Sequence, residues 1–517
     1  MLILYRPSLR VAGAIAVLFT WLGSLGWLAA RRINQTEETT LSSQATLRLA
    51  PGTVWYAVYS GQTQVGNAAI TLDTLSPGYR VSEAVMLESP DGVQLVRSTR
   101  RTDAWLGATL RLTRIRTDLS REGRLAGWNV VIAGDTVTAH FASSATRTQG
   151  RTQLGEPTTT IAIPYRLALG GGLTPGRTRT MRLLEGWPLG GGIARISVAG
   201  DSMIHFADSA RTEGSDHHWV TAHADSVRAF AVVVDGPGGP RRLWIDHRGS
   251  IAGVETTFGL RWVRTDFDLS ETAFRKALPQ RTDSIRASFA PISQYAARNV
   301  APDTSTEERR FLVQRRDGSP IDTALLRLLA GGRQSVEGDT ITVHTAPTMR
   351  SGEGVKDSVQ DPMIQHDAGA IQKVQRMLVT EPLNRERLPA FIAAFSALVR
   401  VDTALGSPED ALSTLGAKRG RPDGITRLFV AFLRASGVPS RYVIGIYPQH
   451  DTLLTHSWAE IWSENAGGWY AVDPVSSHAR ANSGLIRLAF GGSSHPDEML
   501  AMLANARLTE IGRKGKR

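Results

Sequence analysis

The sequence predicts an α+β protein with an N-terminal transmembrane helix, a large antiparallel β domain and a C-terminal α+β domain. Three patterns along the 517 residues support this division. Residues 11–30 are uncharged and mostly apolar, residues 51–275 alternate apolar and polar side chains, and residues 420–475 combine an amphipathic helical pattern with β-rich runs. The content of 42% hydrophobic and 21% charged residues is typical of globular domains with sizeable cores.

The apolar run at residues 11–30 is long enough to cross a bilayer as a helix. A cleaved signal peptide is the alternative, but Trp27-Leu28-Ala29 is a poor small-x-small cleavage site. We therefore expect an uncleaved signal anchor, preceded by a cytoplasmic n-region at 1–10 and followed by a polar stalk at 31–50. The bulk of the chain is then extracytoplasmic, on the periplasmic side in a Gram-negative cell.

Residues 51–275 contain many short β-rich runs separated by glycine-containing turns, and helical periodicity is nearly absent. This pattern predicts one large antiparallel β domain, either an open barrel or a sandwich of two sheets. A polar segment at 276–310 is predicted to be a linker with short helices, and 311–346 a small second β segment. The basic end of the chain, residues 513–517, is predicted to be a frayed tail.

The charge and the cysteine content exclude several classes of function. The net charge is +11, but the arginines are scattered singly and form no long basic run, so nucleic-acid binding is not expected. The chain has no cysteine, which excludes disulfides, thiolate metal sites and a lipoprotein cysteine. The sequence predicts no cofactor and no metal site.

The stretch at 420–475 has the clearest local pattern. A helix over 422–436 is predicted by five apolar residues at helical spacing, which are Ile425, Leu428, Phe429, Phe432 and Leu433. Pro422 suits the first turn of this helix, where a backbone N–H is not needed. Strands are predicted at 441–447, 456–462 and 469–473, the second and third carrying a histidine and an aspartate.

Three blocks in this stretch resemble the transglutaminase-like superfamily, which shares the papain-like Cys-His-Asp arrangement. They read FLRASGVPSRYVIG, HSWAEIW and WYAVDPV. The resemblance implies a transglutaminase-like domain over 360–510, with His456 as the base and Asp473 as the carboxylate that orients it. In the family a cysteine opens the helix, and the matching position here is Pro422. Less specifically, residues 51–275 resemble β-rich domains that precede such domains in bacterial envelope proteins.

Alternative functions follow from the missing nucleophile. The favoured one is a membrane-anchored envelope protein whose transglutaminase-like domain is inactive and serves binding or assembly, because covalent acyl transfer needs an activated nucleophile. Its cleft, with Trp458 and Asp423 as candidate lining residues, would hold a peptide or a glutamine-like side chain. The second is a hydrolase or transamidase that uses His456 and Asp473 without a cysteine. The third is a carrier of a hydrophobic ligand through the β domain.

Overall fold

The computed structural model of the chain describes residues 18–27, 49–91, 94–121, 124–143, 147–153, 155–185, 190–215, 217–236, 239–256, 259–289, 306–315, 326, 329–346, 363–379, 381–384, 386–402, 410–449, 452–464, 468–476, 483–490 and 506–515. They form a large antiparallel β domain followed by a helical and β region, which agrees with the predicted α+β class.

The first helix, α1, spans residues 18–27, and its large apolar side chains are exposed. No helix in the described part of the chain is long and apolar enough to cross a membrane. The transmembrane helix predicted at 11–30 is therefore not found among the described residues. Residues 11–17 and 28–30 of the predicted span lie outside them. The predicted n-region at 1–10 and nearly all of the predicted stalk at 31–50 also lie outside the described residues.

The β domain is built on one antiparallel sheet of 14 strands. The strands are β1 Gly52–Ser60, β2 Thr63–Leu75, β3 Gly78–Asp91, β4 Gln94–Leu106, β5 Leu112–Arg121, β6 Arg124–Ala133, β7 Thr136–Ser143, β8 Arg147–Gln153, β9 Thr178–Glu185, β10 Gly190–Glu213, β11 His218–Gly236, β12 Gly239–Asp246, β13 Ile251–Glu255 and β14 Leu260–Thr265. The order runs from β8 back to β1, then from β14 back to β9. Pairing of β1 with β14 thus joins two meanders into one open sheet.

Both halves of this sheet contribute to one continuous apolar cluster, as period-two alternation requires when one face is buried. A 3₁₀ turn at Thr160–Ala162 and helix α2 at Ile163–Leu169 contribute to the same cluster. Helix α2 is apolar on nearly all sides, which is typical of a helix enclosed by other elements. The sheet and α2 therefore share one apolar core, and among the described residues of the β domain all strands belong to this one sheet rather than to a sandwich of two.

The predicted linker at 276–310 instead contains most of a helix that packs on the sheet. A π-helical turn at Asp268–Thr272 leads into α3 at Ala273–Phe289, whose Phe274 and Ile285 are buried in the apolar cluster. The Ser60 hydroxyl of β1 donates a hydrogen bond to the Ser288 carbonyl at 3.1 Å. The prediction gave only short helices in a linker, because few apolar residues stand among the polar ones and the composition is similar to that of a linker.

A second sheet has four strands, in the order β16-β17-β15-β24. They are β15 Thr306–Arg315, β16 Gln334–Glu337, β17 Thr340–His344 and β24 Ala506–Gly515. The first three include the small β segment predicted at 311–346. The fourth corrects the prediction of a frayed basic tail, because it pairs along β15 and buries Leu508. Basic side chains are common on such edge strands, where they discourage further pairing.

The remaining described residues form helices packed on a third sheet. The helices are α4 Gly369–Leu378, α5 Leu388–Leu398, α6 Ala411–Ala417 and α7 Pro422–Ala435. The sheet order is β22-β21-β20-β23, with β20 Ser440–Gln449, β21 Thr452–Ser463, β22 Gly468–Val472 and β23 Ile486–Phe490. A short parallel pair joins β18 Arg400–Val401 to β19 Arg419–Gly420. Helix α7 is the central element, because all of its residues from Gly424 to Leu433 are buried except Arg427.

Candidate functional site

His456 and Asp473 meet at the end of the third sheet. Strand β21 carries His456 and pairs antiparallel with β22, and Asp473 directly follows β22. His456 Nε2 lies 2.8 Å from Asp473 Oδ2, so the two side chains are hydrogen-bonded. Since an ionised carboxylate only accepts, Nε2 carries the donated proton and the tautomer leaves Nδ1 as the basic ring nitrogen.

The Asp473 carboxylate is held by its own turn as well as by His456. The backbone N–H groups of Val475 and Ser476 donate to Oδ1 at 3.0 and 3.2 Å, and the Ser476 hydroxyl donates to Oδ2. Burial by itself raises the pKa of Asp473, but the hydrogen bonds from His456 and Ser476 outweigh burial and hold the pKa below its ordinary value. Asp473 is therefore ionised at neutral pH and fixes the orientation of the imidazole.

Trp458 supports the histidine from within the protein. Its ring stacks near that of His456, with centroids 6.5 Å apart and planes 25° apart, and the side chain is fully buried. It lies over Gly445 of β20, where an added Cβ would be only 2.4 Å from the indole Cη2. Trp458 was predicted as a cleft residue, but the structure places it in the packing behind His456. The reason is that glycine at 445 lets the indole lie flat against the sheet.

Helix α7 packs against β21, the strand that carries His456. Thr426, one turn after Pro422, places its hydroxyl 3.1 Å from the Ser457 hydroxyl, and both residues are fully buried. Successive residues of a strand point to opposite faces, so the Ser457 side chain, which meets Thr426, is directed away from the His456 side chain. Ser457 is thereby engaged with the helix, and a Ser457–His456 catalytic pair does not form.

Pro422 begins α7, as predicted, and is half-buried. The second cleft candidate, Asp423, accepts a hydrogen bond from the Tyr442 hydroxyl at 3.1 Å. The guanidinium of Arg427 lies over the same Tyr442 ring, 4.5 Å from its centroid. Asp423 thus joins the start of α7 to strand β20, and a role in lining a cleft stays a prediction.

A buried charge cluster on β21 was not predicted. Glu460 Oε2 accepts from Arg441 Nη2 at 2.6 Å and from Arg441 Nε at 2.9 Å, and Arg487 Nη1 lies 3.7 Å away. Burial raises the pKa of Glu460, but the positive charges of Arg441 and Arg487 outweigh it and hold the pKa below its ordinary value. In the sequence, Glu460 is a single charge within a strand, which period-two alternation assigns to a solvated face.

The loop before β16 closes over this cluster. At Gly332, where φ is +60°, an added Cβ would be 3.3 Å from both Arg441 Nη2 and Glu460 Oε2. The neighbouring Arg333 donates to the Leu485 carbonyl at 3.0 Å, and burial lowers its pKa to about 10. These contacts join the second sheet to the face of the third sheet that the helices leave uncovered.

Comparison with known proteins identifies the region around the dyad. Residues 373–474 match the family model of the transglutaminase-like superfamily. The chain is 30% identical over 105 residues to an uncharacterized protein of Mycobacterium leprae, an alignment that covers 18% of this chain and 37% of the relative. The chain thus spans little more than a third of the length of that curated relative.

Several solved structures are also similar to parts of the chain. A β-barrel-like protein of unknown function from Brucella abortus is 10% identical with a TM-score of 0.31, covering 42% of this chain and 96% of its own. A proposed cysteine protease from Cytophaga hutchinsonii is 15% identical with a TM-score of 0.24, covering 41% and 86%. A proposed protease from Parabacteroides distasonis is 11% identical with a TM-score of 0.16, covering 68% and 67%.

Proposed function

We propose that the transglutaminase-like domain at residues 373–474 is a binding or assembly module without the cysteine chemistry of its family, in a membrane-anchored envelope protein. One observation carries the proposal. The His456–Asp473 hydrogen bond is present at 2.8 Å, yet the 517-residue chain contains no cysteine that the imidazole could activate.

The chemistry of acyl transfer explains why this combination favours binding. A transglutaminase or papain-like thiol protease forms a thioester, which requires a thiolate at the scissile carbonyl. Pro422 stands at the position that the family resemblance assigns to that thiol, and proline has no nucleophilic or acid–base group. The Ser457 hydroxyl, which directly follows His456 in sequence, is hydrogen-bonded to Thr426. An oriented imidazole alone can hold an amide by hydrogen bonding but cannot supply the covalent step.

The partner class that suits this site is a peptide with a glutamine-like side chain. His456 retains some solvent exposure, so a carboxamide can approach the edge of its imidazole. Trp458 behind it keeps the ring from turning away.

The test uses the full-length protein in detergent with a fluorescent glutamine-containing peptide. We expect saturable binding, weakened about tenfold or more in His456→Ala because a buried hydrogen bond is lost. We expect no ammonia release and no incorporation of a primary amine. Absence of saturable binding by the unmodified protein would contradict the binding role.

A hydrolase that activates water is the second candidate. It is favoured by the ionised state of Asp473, since a carboxylate that orients a neutral imidazole is what a general base requires. The same assay separates the two functions. Ammonia release by the unmodified protein that is abolished in His456→Ala would support hydrolysis and overturn the inactive-domain proposal.

Membrane attachment through residues 11–30 is a further part of the proposal. It is supported by the length of the apolar run and by the poor cleavage site after it. The full-length chain should stay in the membrane fraction after a carbonate wash and keep its N-terminus. A mature protein whose N-terminal sequence begins near residue 30 would indicate a cleaved signal peptide instead.

A further inference from the structure

Three exposed basic side chains lie together on the surface just before helix α7. They are Arg400 of β18, Lys418 between α6 and β19, and Arg419 of β19, and we refer to these three residues as the basic strip. Arg419 Nη1 lies 3.2 Å from Asp402 Oδ2. Within the part of the chain that the structure describes, neither Arg400 nor Lys418 forms an ion pair. The basic strip therefore carries an excess of positive charge.

The backbone holds these cations side by side. The Arg400 N–H donates to the Lys418 carbonyl at 3.1 Å, and the register of the parallel pair places Arg400 directly beside Arg419. Like charges on directly opposed strand residues destabilise the pairing. Lys418 adds to this cost, because its φ of +52° lies in the left-handed region that residues other than glycine rarely adopt. An anionic partner would offset the repulsion between the cations.

The basic strip also adjoins the site of the proposed function. Strand β19 ends two residues before Pro422, the position that the family resemblance assigns to the nucleophile. Thr426, one turn later, contacts Ser457, the residue next to His456. Arg419 precedes Thr426 by seven positions, which corresponds to roughly 10 Å along a helix. A peptide at His456 can therefore reach the basic strip with about three to five residues of extended chain.

The chemistry of the basic strip favours a peptide that carries carboxylates. A guanidinium binds a carboxylate through two parallel hydrogen bonds, and an ammonium binds it as a point charge. Val401, beside Arg400, is 46% exposed and offers apolar contact to the carbon atoms of such a peptide. A nucleic acid suits the strip less well, because its phosphate backbone requires a longer run of basic residues.

We propose that the basic strip binds acidic side chains of a peptide partner, so that the partner class is a glutamine-containing peptide with flanking aspartate or glutamate residues. The inference rests on the proposed function, which supplies the contact at His456, and it adds the charge of the flanking residues. In this role the basic strip selects the partner by charge and takes no part in a reaction.

Three fluorescent peptides separate this inference from the proposed function. The first has a central glutamine with three aspartates on each side, the second has asparagines in place of the aspartates, and the third keeps the aspartates but has alanine in place of the glutamine. Binding to the full-length protein in uncharged detergent is measured by fluorescence anisotropy at low salt. We expect the first peptide to bind about fivefold or more tighter than the second. This difference should disappear in 1 M salt, where charges are screened beyond about 3 Å.

Each outcome of this comparison has a distinct meaning. Equal affinities for the first and second peptides would overturn the acidic preference and leave glutamine binding in place. Equal affinities for the first and third peptides would overturn the role of glutamine but support the basic strip. No saturable binding of any of the three peptides would overturn both the inference and the proposed function.

Two double variants with the same change in net charge test the basic strip itself. Arg400→Gln with Lys418→Gln removes two of its cations, whereas Lys373→Gln with Arg376→Gln removes two exposed cations of α4, which bonds to Ser436 at the other end of α7. The first double variant should bring the affinities for the first and second peptides within about twofold of each other, and the second should keep the fivefold difference.

A difference that persists in the variant of the basic strip, or that both double variants remove equally, would overturn the assignment of the site. All four side chains are exposed, so both double variants should fold. The comparison of the three peptides on the unmodified protein needs no variant and decides the case if the variant of the basic strip does not fold.

Discussion

Two polar pairs, each with one member on strand β21, differ in their access to solvent. The His456 and Asp473 side chains keep 14% and 10% of their surface exposed, whereas Arg441 and Glu460 keep 0% and 1%. Their members on this strand, His456 and Glu460, lie four residues apart on the same face. The proposed binding role belongs to the exposed pair, whereas the buried pair lies where the second and third sheets meet.

Breaking the buried pair should have the largest effect on stability. Glu460→Gln keeps the shape of the side chain but leaves Arg441 and Arg487 buried without their counter-charge. We expect a loss of about 3–5 kcal/mol in the free energy of unfolding, measured by urea denaturation.

The matched control is Glu255→Gln, which removes the exposed partner of Arg242 and should change stability by less than about 0.5 kcal/mol. Similar small losses for the two variants would mean that the buried cluster does not join the sheets as described.

Weakening the exposed pair should cost less and should depend on pH. Asp473→Asn removes the charge that His456 and Ser476 stabilise, at a cost of about 1.5–3 kcal/mol at pH 7. Because the folded pKa of Asp473 lies below the unfolded value of about 3.9, this contribution is present above that value and is lost as pH falls through the folded pKa. Urea denaturation should show that the difference in the free energy of unfolding between the wild type and Asp473→Asn becomes smaller from pH 7 to pH 3.

The control for that series is Asp283→Asn, an aspartate whose side chain is 96% exposed. It should show almost no stability difference from the wild type across the same pH range. A wild-type advantage over Asp473→Asn that grows toward pH 3 would contradict the ionised, hydrogen-bonded state of Asp473.

The contact between α7 and the histidine strand should have a smaller effect. Thr426→Val leaves the buried Ser457 hydroxyl without this partner, whereas in Ser457→Ala the Thr426 hydroxyl keeps only the carbonyl of residue 457, 3.3 Å away. Each change should cost about 1 kcal/mol. The double variant removes both hydroxyls and should cost less than the sum, with a coupling energy of about 0.5 kcal/mol or more. Strict additivity in urea denaturation would mean that the two hydroxyls do not interact.

The dyad could be predicted from the sequence because its determinants are local. His456 and Asp473 are separated by a single hairpin, and the patterns HSWAEIW and WYAVDPV place them on neighbouring strands. The N-terminus of α7 at Pro422 was predicted for the same reason, since proline in a first turn is a local signal. The catalytic roles of these residues remain predictions.

The parts that the sequence did not predict depend on distant contacts. Glu460 is buried because Arg487 and the loop at Gly332 reach it from other segments, which a single-strand pattern does not contain. Strand β24 pairs with β15, about 200 residues earlier in the chain, and buries one leucine. Helix α3 packs on the sheet through Phe274 and Ile285. Because its other residues are mostly polar, the sequence did not predict one long packed helix.

The reactivity of a thiol placed at residue 422 tests the central claim most directly. The variant Pro422→Cys should cost about 1 kcal/mol or less, because the first helical turn accepts many residues. Pro389→Cys is the matched control, since it also replaces a proline in a first helical turn, on α5, where the side chain is exposed.

Iodoacetamide labelling is followed across pH for both variants, and for Pro422→Cys combined with His456→Ala. If the cleft is assembled and lacks only its nucleophile, Cys at 422 labels at lower pH than Cys at 389, and His456→Ala removes the difference. Identical titration at both positions, unaffected by His456→Ala, would contradict the account.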